Sequence, residues 1–441
     1  MKSLKTAAAT LALLMLAAPA GAETLDEASA ATLKRHPLLA ADTAAIEAAG
    51  ENVAVARSGF FPSVGVNSEL NVDNFQREVG SVGLVGRHVT LQASGMLFDG
   101  LATPGRLDGA QARHSGSRAE RDVNANGLLL AVARAYLAVL RERAQLVAAK
   151  ENLAQHERSV ADLKQMVASD RGKRFDLVQI EARTVLARSV VTERTAALAA
   201  AEDVYLETVG QPAGALVMPP ALGGTEFDSV QSALALGRER HPGLVAATLR
   251  QAEREADRTQ ANGALSPRLD AVGRYVKGAD IQSLAGQNDE VYAGLRASYD
   301  LSTGLGAFAA SRAAQAGVGQ AASRVALAGR DMREAVRVAW AQREGLSATL
   351  PLALDHLARM RELLAGFRAQ YTLGRRTMLD LLLIQNETYM AESRTIQLTH
   401  DRRAADYVLA AQVGTLLARQ PAPAASPAPL VLPGTGGATS R

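Results

Sequence analysis

The sequence predicts a mostly α chain with a small β part, in which long antiparallel coiled-coil helices carry four β-strands. Three observations predict it. The chain repeats itself at a spacing of about 205 residues, long proline-free runs dominate each copy, and each copy holds two stretches of two-residue apolar/polar alternation.

The duplication is read residue by residue. Arg35, His36, Pro37, Leu39 and Ala41 recur as Arg240, His241, Pro242, Leu244 and Ala246, and Pro62 recurs as Pro267. After one residue of slippage, Gly100 recurs as Gly304, Ala135-Tyr136 as Ala339-Trp340 and Asp176-Leu177 as Asp380-Leu381. Ile180, Ala187 and Gly210 return as Ile384, Ala391 and Gly414. The slip falls where a hairpin is expected.

Residues 1–22 read as a secretory signal: Lys2 and Lys5, an apolar stretch from Thr6 to Ala18, then Pro19 and the small-residue site Ala20-Gly21-Ala22, with cleavage expected before Glu23. The first repeat covers 23–210. Its segment 25–59 is helical by Ala, Glu and Ile content, and the histidines beside Pro37 and Pro242 suit structural corners. Beyond Pro62, Val64, Val66, Leu70 and Val72 fall opposite Ser63, Gly65, Asn67, Glu69 and Asn71, the alternation of a strand with one wet face. A polar, glycine-bearing stretch over 74–86 reads as the connection. Alternation then resumes with Val89, Leu91, Ala93 and Leu97, giving a hairpin over about 62–99. Two long helices follow, over about 105–168 and 175–209.

A Pro/Gly-rich connector spans 211–228, and the second repeat covers 229–418. It holds a hairpin over about 267–302 and helices over about 306–370 and 377–417. Val272 and Val276 blur the first strand's alternation there. Pro351 replaces Val147 of the first copy and is expected to kink or interrupt its helix. A Pro/Ala-rich tail over 419–441 should be disordered or extended.

Composition narrows the function. Aromatics are 4% of the chain, too few for a large globular core, whereas abundant alanine suits helices in close lengthwise contact. The 48 basic residues, less Lys2 and Lys5, stand against 45 acidic ones, so no nucleic-acid partner is expected. There is no cysteine, which excludes disulfides, thiolate metal sites and a lipid anchor on an N-terminal Cys. The seven histidines are scattered, with no HExxH, and no GxSxG or phosphate loop stands in context. An enzyme, a metal and a cofactor are not expected. No stretch after the signal offers the roughly 20 uninterrupted apolar residues of a spanning helix.

Strands of about ten residues match those that cross an outer membrane at a tilt. Inside hydrocarbon every backbone N–H and C=O must pair within protein, and four strands cannot close on themselves. The chain must share a barrel with its own copies. Eight, twelve or sixteen strands all satisfy that argument.

The residues resemble the TolC family of outer-membrane export channels from about Leu25 to Leu417. The resemblance lies in the His-Pro helix, Phe61-Pro62 entering the first strand, Leu97-Phe98-Asp99-Gly100 leaving the second, and the turn Tyr371-x-x-Gly374-x-Arg376-Thr377-x-x-Asp380. It implies a homotrimer with a twelve-stranded barrel in outer-membrane lipid, continued by a twelve-helix tunnel through the periplasm with an equatorial belt that takes in the connector. It also implies a periplasmic adaptor (a membrane fusion protein) and an inner-membrane ABC or other transporter as partners. Type I secretion is the first expectation, from the missing cysteine and the Gly-Arg-Arg-Thr and Arg-Gly-Lys-Arg turns. A multidrug or metal efflux component is the alternative, and a soluble periplasmic coiled-coil adaptor or scaffold the rival of another class.

The resemblance further implies a periplasmic gate. Tyr371 and Arg376 would bond Asp176 of the first copy's turn, and Asp380 would line the constriction. Leu383 stands where a second lining aspartate is expected, and Asp170 where a glycine would match Gly374. Plain helix capping competes, since Thr377 followed by Asp380 fits a capping box and Asp176 suits a first turn.

Overall fold

The computed structural model describes residues 23–77, 80–169, 174–222, 228–281, 284–299 and 305–419. The signal, Asp170 and the expected tail beyond Arg419 lie outside the described residues. The first repeat contains α1 (Leu25–Arg35), α2 (Pro37–Ser58), β1 (Ser63–Arg77), β2 (Gly80–Phe98), α3 (Ala102–Ala168) and α4 (Arg174–Val209). The second contains α5 (Val230–Arg240), α6 (Pro242–Gly263), β3 (Arg268–Ile281), β4 (Leu284–Ser298), α7 (Gly306–Thr372) and α8 (Met378–Val413). The helices match in length copy for copy, at 11, 22, 67 and 36 residues.

The duplicated His-Pro pair breaks what reads as one helix into two. The His36 N–H closes α1 on the Thr32 carbonyl at 2.9 Å, and its Nδ1 accepts from the Leu38 N–H at 3.2 Å to open α2. His241 does the same for α5 and α6, with Nδ1 accepting from the Leu244 N–H at 3.3 Å. Proline at the first helical position needs no N–H partner there. The helix tops are bound by two related cores. Ala28, Val132, Ala135, Tyr136, Tyr205 and Val209 in the first answer to Ala233, Val336, Ala339, Trp340, Leu409 and Val413 in the second.

The residue after the expected cleavage point is built into the first core. The Glu23 N–H donates to the Ala215 carbonyl at 2.7 Å, and its carboxylate accepts from the Tyr205 hydroxyl and the Gln211 amide at 2.8 and 2.7 Å. Burial, and then the Glu23 carboxylate, push the Tyr205 hydroxyl up, so it remains a donor.

At about 1.5 Å per residue, α3 and α7 each extend roughly 100 Å. They pair with α4 and α8, and α8 rather than α7 carries the contact between the two long pairs. Gln145 and Ser393 exchange two 2.8 Å hydrogen bonds across that α3–α8 seam. One window of α3 has a mean hydropathy of 1.5, but half of it is buried in the protein, as suits a core helix.

Three sequence expectations need correction. Pro351 does not interrupt α7, which runs unbroken to Thr372. The proline removes one backbone donor, and α8 braces the helix on either side: Arg402 bonds the Ser347 hydroxyl at 2.5 Å and Thr395 the Ala353 carbonyl at 3.3 Å. Helix α8 stops at Val413, short of 417. Gly414 takes a φ of +84°, and the Thr415 N–H closes on the Ala410 carbonyl at 2.9 Å, a Schellman ending. The stretch 74–86 is no broad connection: β1 runs to Arg77 and β2 resumes at Gly80. Backbone pairing does not require apolar side chains, so the ladder continues where the alternation fades.

The strands form one antiparallel sheet in the order β1-β2-β3-β4. Directly opposed residues share a face, so the register sorts the side chains. Val66, Leu91, Tyr275 and Val291 make one row across all four strands, and Val64, Ala93, Gly273 and Ala293 the next. Val66 and Val291 are 67% and 80% exposed. The opposite face carries Asn67, Thr90, Gln92, a Glu69–His88 contact at 3.6 Å and two ion pairs, Arg274–Glu290 at 2.7 Å and Arg268–Asp270 at 2.9 Å. Val272 and Val276, which blurred the alternation, lie on this polar face and are buried there. Exposed Phe60, Phe61, Phe98, Tyr299 and Phe308 ring the junctions between strands and helices, an aromatic girdle at one edge of the apolar band. At the other edge the band ends diagonally, at Val291 on β4 and Tyr275 on β3 but only at Val85 on β2 and Val72 on β1. Strands tilted by roughly 35–45° to a membrane normal produce such a diagonal. No strand among the described residues covers the outer edges of β1 and β4.

Candidate gate at the inter-helix turns

The far ends of the two long pairs meet in a small apolar cluster. Leu163, Ile180, Met378, Leu381 and Leu382 are buried there, with Leu177, Phe367 and Tyr371 packed around them. This cluster brings the turns of both repeats to one place.

The second turn is tightly built. Helix α7 ends in a Schellman motif: the Arg375 N–H donates to the Gln370 carbonyl and the Gly374 N–H to the Tyr371 carbonyl, both at 2.9 Å. Gly374 has a φ of +70°, which a side chain would oppose. Helix α8 opens with a complete capping box. The Thr377 hydroxyl accepts from the Asp380 N–H at 3.2 Å, and the Asp380 carboxylate accepts from the Thr377 N–H and hydroxyl at 3.2 and 2.9 Å. Those hydrogen bonds from Thr377 hold the Asp380 carboxyl below its usual range. Capping therefore accounts for Asp380 within one chain.

The other three gate residues lie near one another without forming the expected lock. Tyr371 is half-buried, its hydroxyl 4.0 Å from the Met166 sulfur. Burial, and then the charges of Asp176 and Asp162, push that hydroxyl up and keep it a neutral donor. Asp176 sits in the first turn of α4 and has no ion-pair partner among the described residues. Arg376, in the turn between α7 and α8, folds back onto the end of α7 instead. Its guanidinium lies 4.4 Å from the Phe367 ring centroid, and its Nε donates to the Gln370 side chain at 3.0 Å. A cation–π contact and a hydrogen bond from the charged guanidinium to a neutral amide are worth on the order of 2 kcal/mol together, and both partners come from the last turns of α7. Sequence reasoning missed Phe367 and Gln370 as holders of Arg376. Their signal was position, because both fall in the last turns ahead of Gly374. Leu383 is exposed, next to the buried Leu381 and Leu382.

Comparison with known proteins agrees with this architecture. The family model described as Outer membrane efflux protein matches residues 28–205. The outer membrane efflux protein BepC of Brucella suis is 27% identical over 410 residues, covering 90% of this chain and 87% of that one. Two solved structures share the fold. The outer membrane protein VceC of Vibrio cholerae superposes with a TM-score of 0.77 at 14% identity, covering 88% of this chain and 96% of that one. The open-state MtrE outer membrane channel of Neisseria gonorrhoeae gives 0.74 at 18% identity, covering 89% of each. The matched family model and the shared fold are those of channel proteins rather than enzymes. Sequence and fold together make this chain similar to outer membrane efflux proteins, with the family model matched over residues 28–205, and place it at the cell outer membrane.

Proposed function

We propose that three copies of this chain close into a twelve-stranded barrel and a twelve-helix periplasmic tunnel, the outer-membrane duct of an export machine. One observation carries this reading: a four-stranded sheet with an exposed apolar face and two uncovered edges. In lipid those edges are intolerable, and pairing β4 of one copy with β1 of the next removes all of them. A periplasmic adaptor and an inner-membrane transporter complete the machine.

Efflux, taken as export of small toxic molecules, is the favoured activity, and it is supported by similarity over nearly the whole chain to BepC, which is named an outer membrane efflux protein. Type I protein secretion is the second reading, supported by the absence of cysteine and by the basic turns. Deleting the gene tests both. Efflux predicts hypersensitivity to dyes, bile salts or antibiotics with an unchanged set of secreted proteins. Secretion predicts the loss of particular extracellular proteins.

Asp176, Tyr371, Arg376 and Asp380 form the gate in this reading, with Arg376 leaving Phe367 to reach an Asp176 carboxylate when the trimer closes. An ion pair with a carboxylate is stronger than the bond to a neutral amide that it replaces. Arg376→Ala and Asp176→Ala should each raise single-channel conductance several-fold, or raise leakage of large antibiotics. Unchanged closure in both variants removes this contact as the lock.

A further inference from the structure

The two edges of the apolar band differ in chemistry. The edge at the strand–helix junctions is aromatic, with Phe60, Phe61, Phe98, Tyr299 and Phe308 exposed. The opposite edge is cationic. On the lipid-side face, Lys277 is the first residue beyond Tyr275, the last apolar residue of the band on β3, and Arg87 stands on β2 between Val89 and Val85. Val89 is paired with Lys277 and Arg87 with Ala279, so the two cations are diagonal neighbours on adjacent strands. Such neighbours stand roughly 7–8 Å apart, a span that one or two phosphate groups can bridge.

Neither cation has an ion-pair partner among the described residues. Asp289 lies directly across from Lys277, yet no ion pair forms between them. Glu69 points to the other face, where His88 takes it. Lys277, past the last apolar residue of β3, and Arg87, whose long stem can run along the apolar face past Val85, both bring their charged heads toward the headgroup layer. A guanidinium fork there matches a phosphate, and an ammonium adds a second charge-assisted bond.

We propose that Arg87 and Lys277 form a docking site for the phosphorylated headgroup of an outer-leaflet glycolipid. The site occurs once per copy, on the outer rim of the barrel. It rests on the channel reading of the sheet, which points the hairpin ends away from the periplasm. Asp289 beside Lys277 would oppose an anion, so Arg87 is the stronger contributor.

Native mass spectrometry of the detergent-purified protein with bisphosphorylated lipid A and with its dephosphorylated form tests the site. The wild type should retain the bisphosphorylated lipid at least tenfold more strongly, and millimolar inorganic phosphate should not displace it. Arg87→Gln/Lys277→Gln should lose the preference, whereas Arg87→Lys/Lys277→Arg, which keeps both charges, should retain it. Equal retention of the two lipids by the wild type, or a preference that survives in the Gln variant, overturns the site. Bilayer recordings on the wild type separate the two claims: a protein that forms no pore defeats the channel reading itself, whatever lipid it holds.

Discussion

Val66→Arg is expected to abolish the heat-resistant oligomer in the outer membrane. Val66 lies in the row Val66–Leu91–Tyr275–Val291, with apolar rows on the same face before it and Leu70 beyond it. A lipid-facing arginine near the bilayer midplane costs about 2–4 kcal/mol, and three copies would pay it together, on the order of 6–12 kcal/mol per trimer. That is comparable to the whole stability of a typical domain. Asn67 is adjacent in sequence but on the polar face, so Asn67→Arg places the same charge toward the interior and should cost little. Unheated gel mobility of outer-membrane extracts reads both. Similar losses in the two variants would mean that the faces have been assigned wrongly.

Gly414→Ala is expected to destabilise the protein far more than Gly210→Ala. The two glycines occupy the same place in the two repeats and have nearly the same backbone, with φ values of +84° and +81°. An L-residue in that conformation costs about 1–2 kcal/mol at either site. The surroundings differ. A Cβ at Gly414 would meet the Arg240 carbonyl oxygen at 2.5 Å and its carbon at 2.9 Å, whereas nothing lies within 4 Å of one at Gly210. Backbone cannot move aside like a side-chain tip, so overpacking adds about 1–3 kcal/mol at Gly414 alone. Denaturant melts of the two variants should therefore separate by at least about 1 kcal/mol. Equal losses would show that α5 yields freely at Arg240.

These glycines also mark what could be read before the fold was known. The recurrence of Gly210 as Gly414 was visible in the duplication, and both end a helix, yet the expected helix ran on to 417 because its apolar spacing continues through Leu416 and Leu417. The strands were legible from two-residue alternation, since one face is wet and the other is not. Their true ends were not, because the ladder past Val72 is held by backbone pairs that leave no mark on side-chain polarity. Pro351 suggested a break, yet α7 runs through it, with Arg402 and Thr395 of α8 bonded to it on either side. At the turns, Gly374 and the Thr377–Asp380 box follow from residue type and spacing. That Arg376 lies on Phe367 instead of reaching Asp176 depends on a rotamer choice worth a kcal/mol or two, below what spacing can resolve.

The central claim is that the sheet's outer face meets lipid and its two edges meet other copies of the same chain. The mass of the mature protein after detergent extraction, measured by light scattering with the detergent contribution subtracted, tests it most directly. The account predicts three chains per particle and precipitation once the detergent is removed. A single chain that stays dispersed in plain buffer would contradict it.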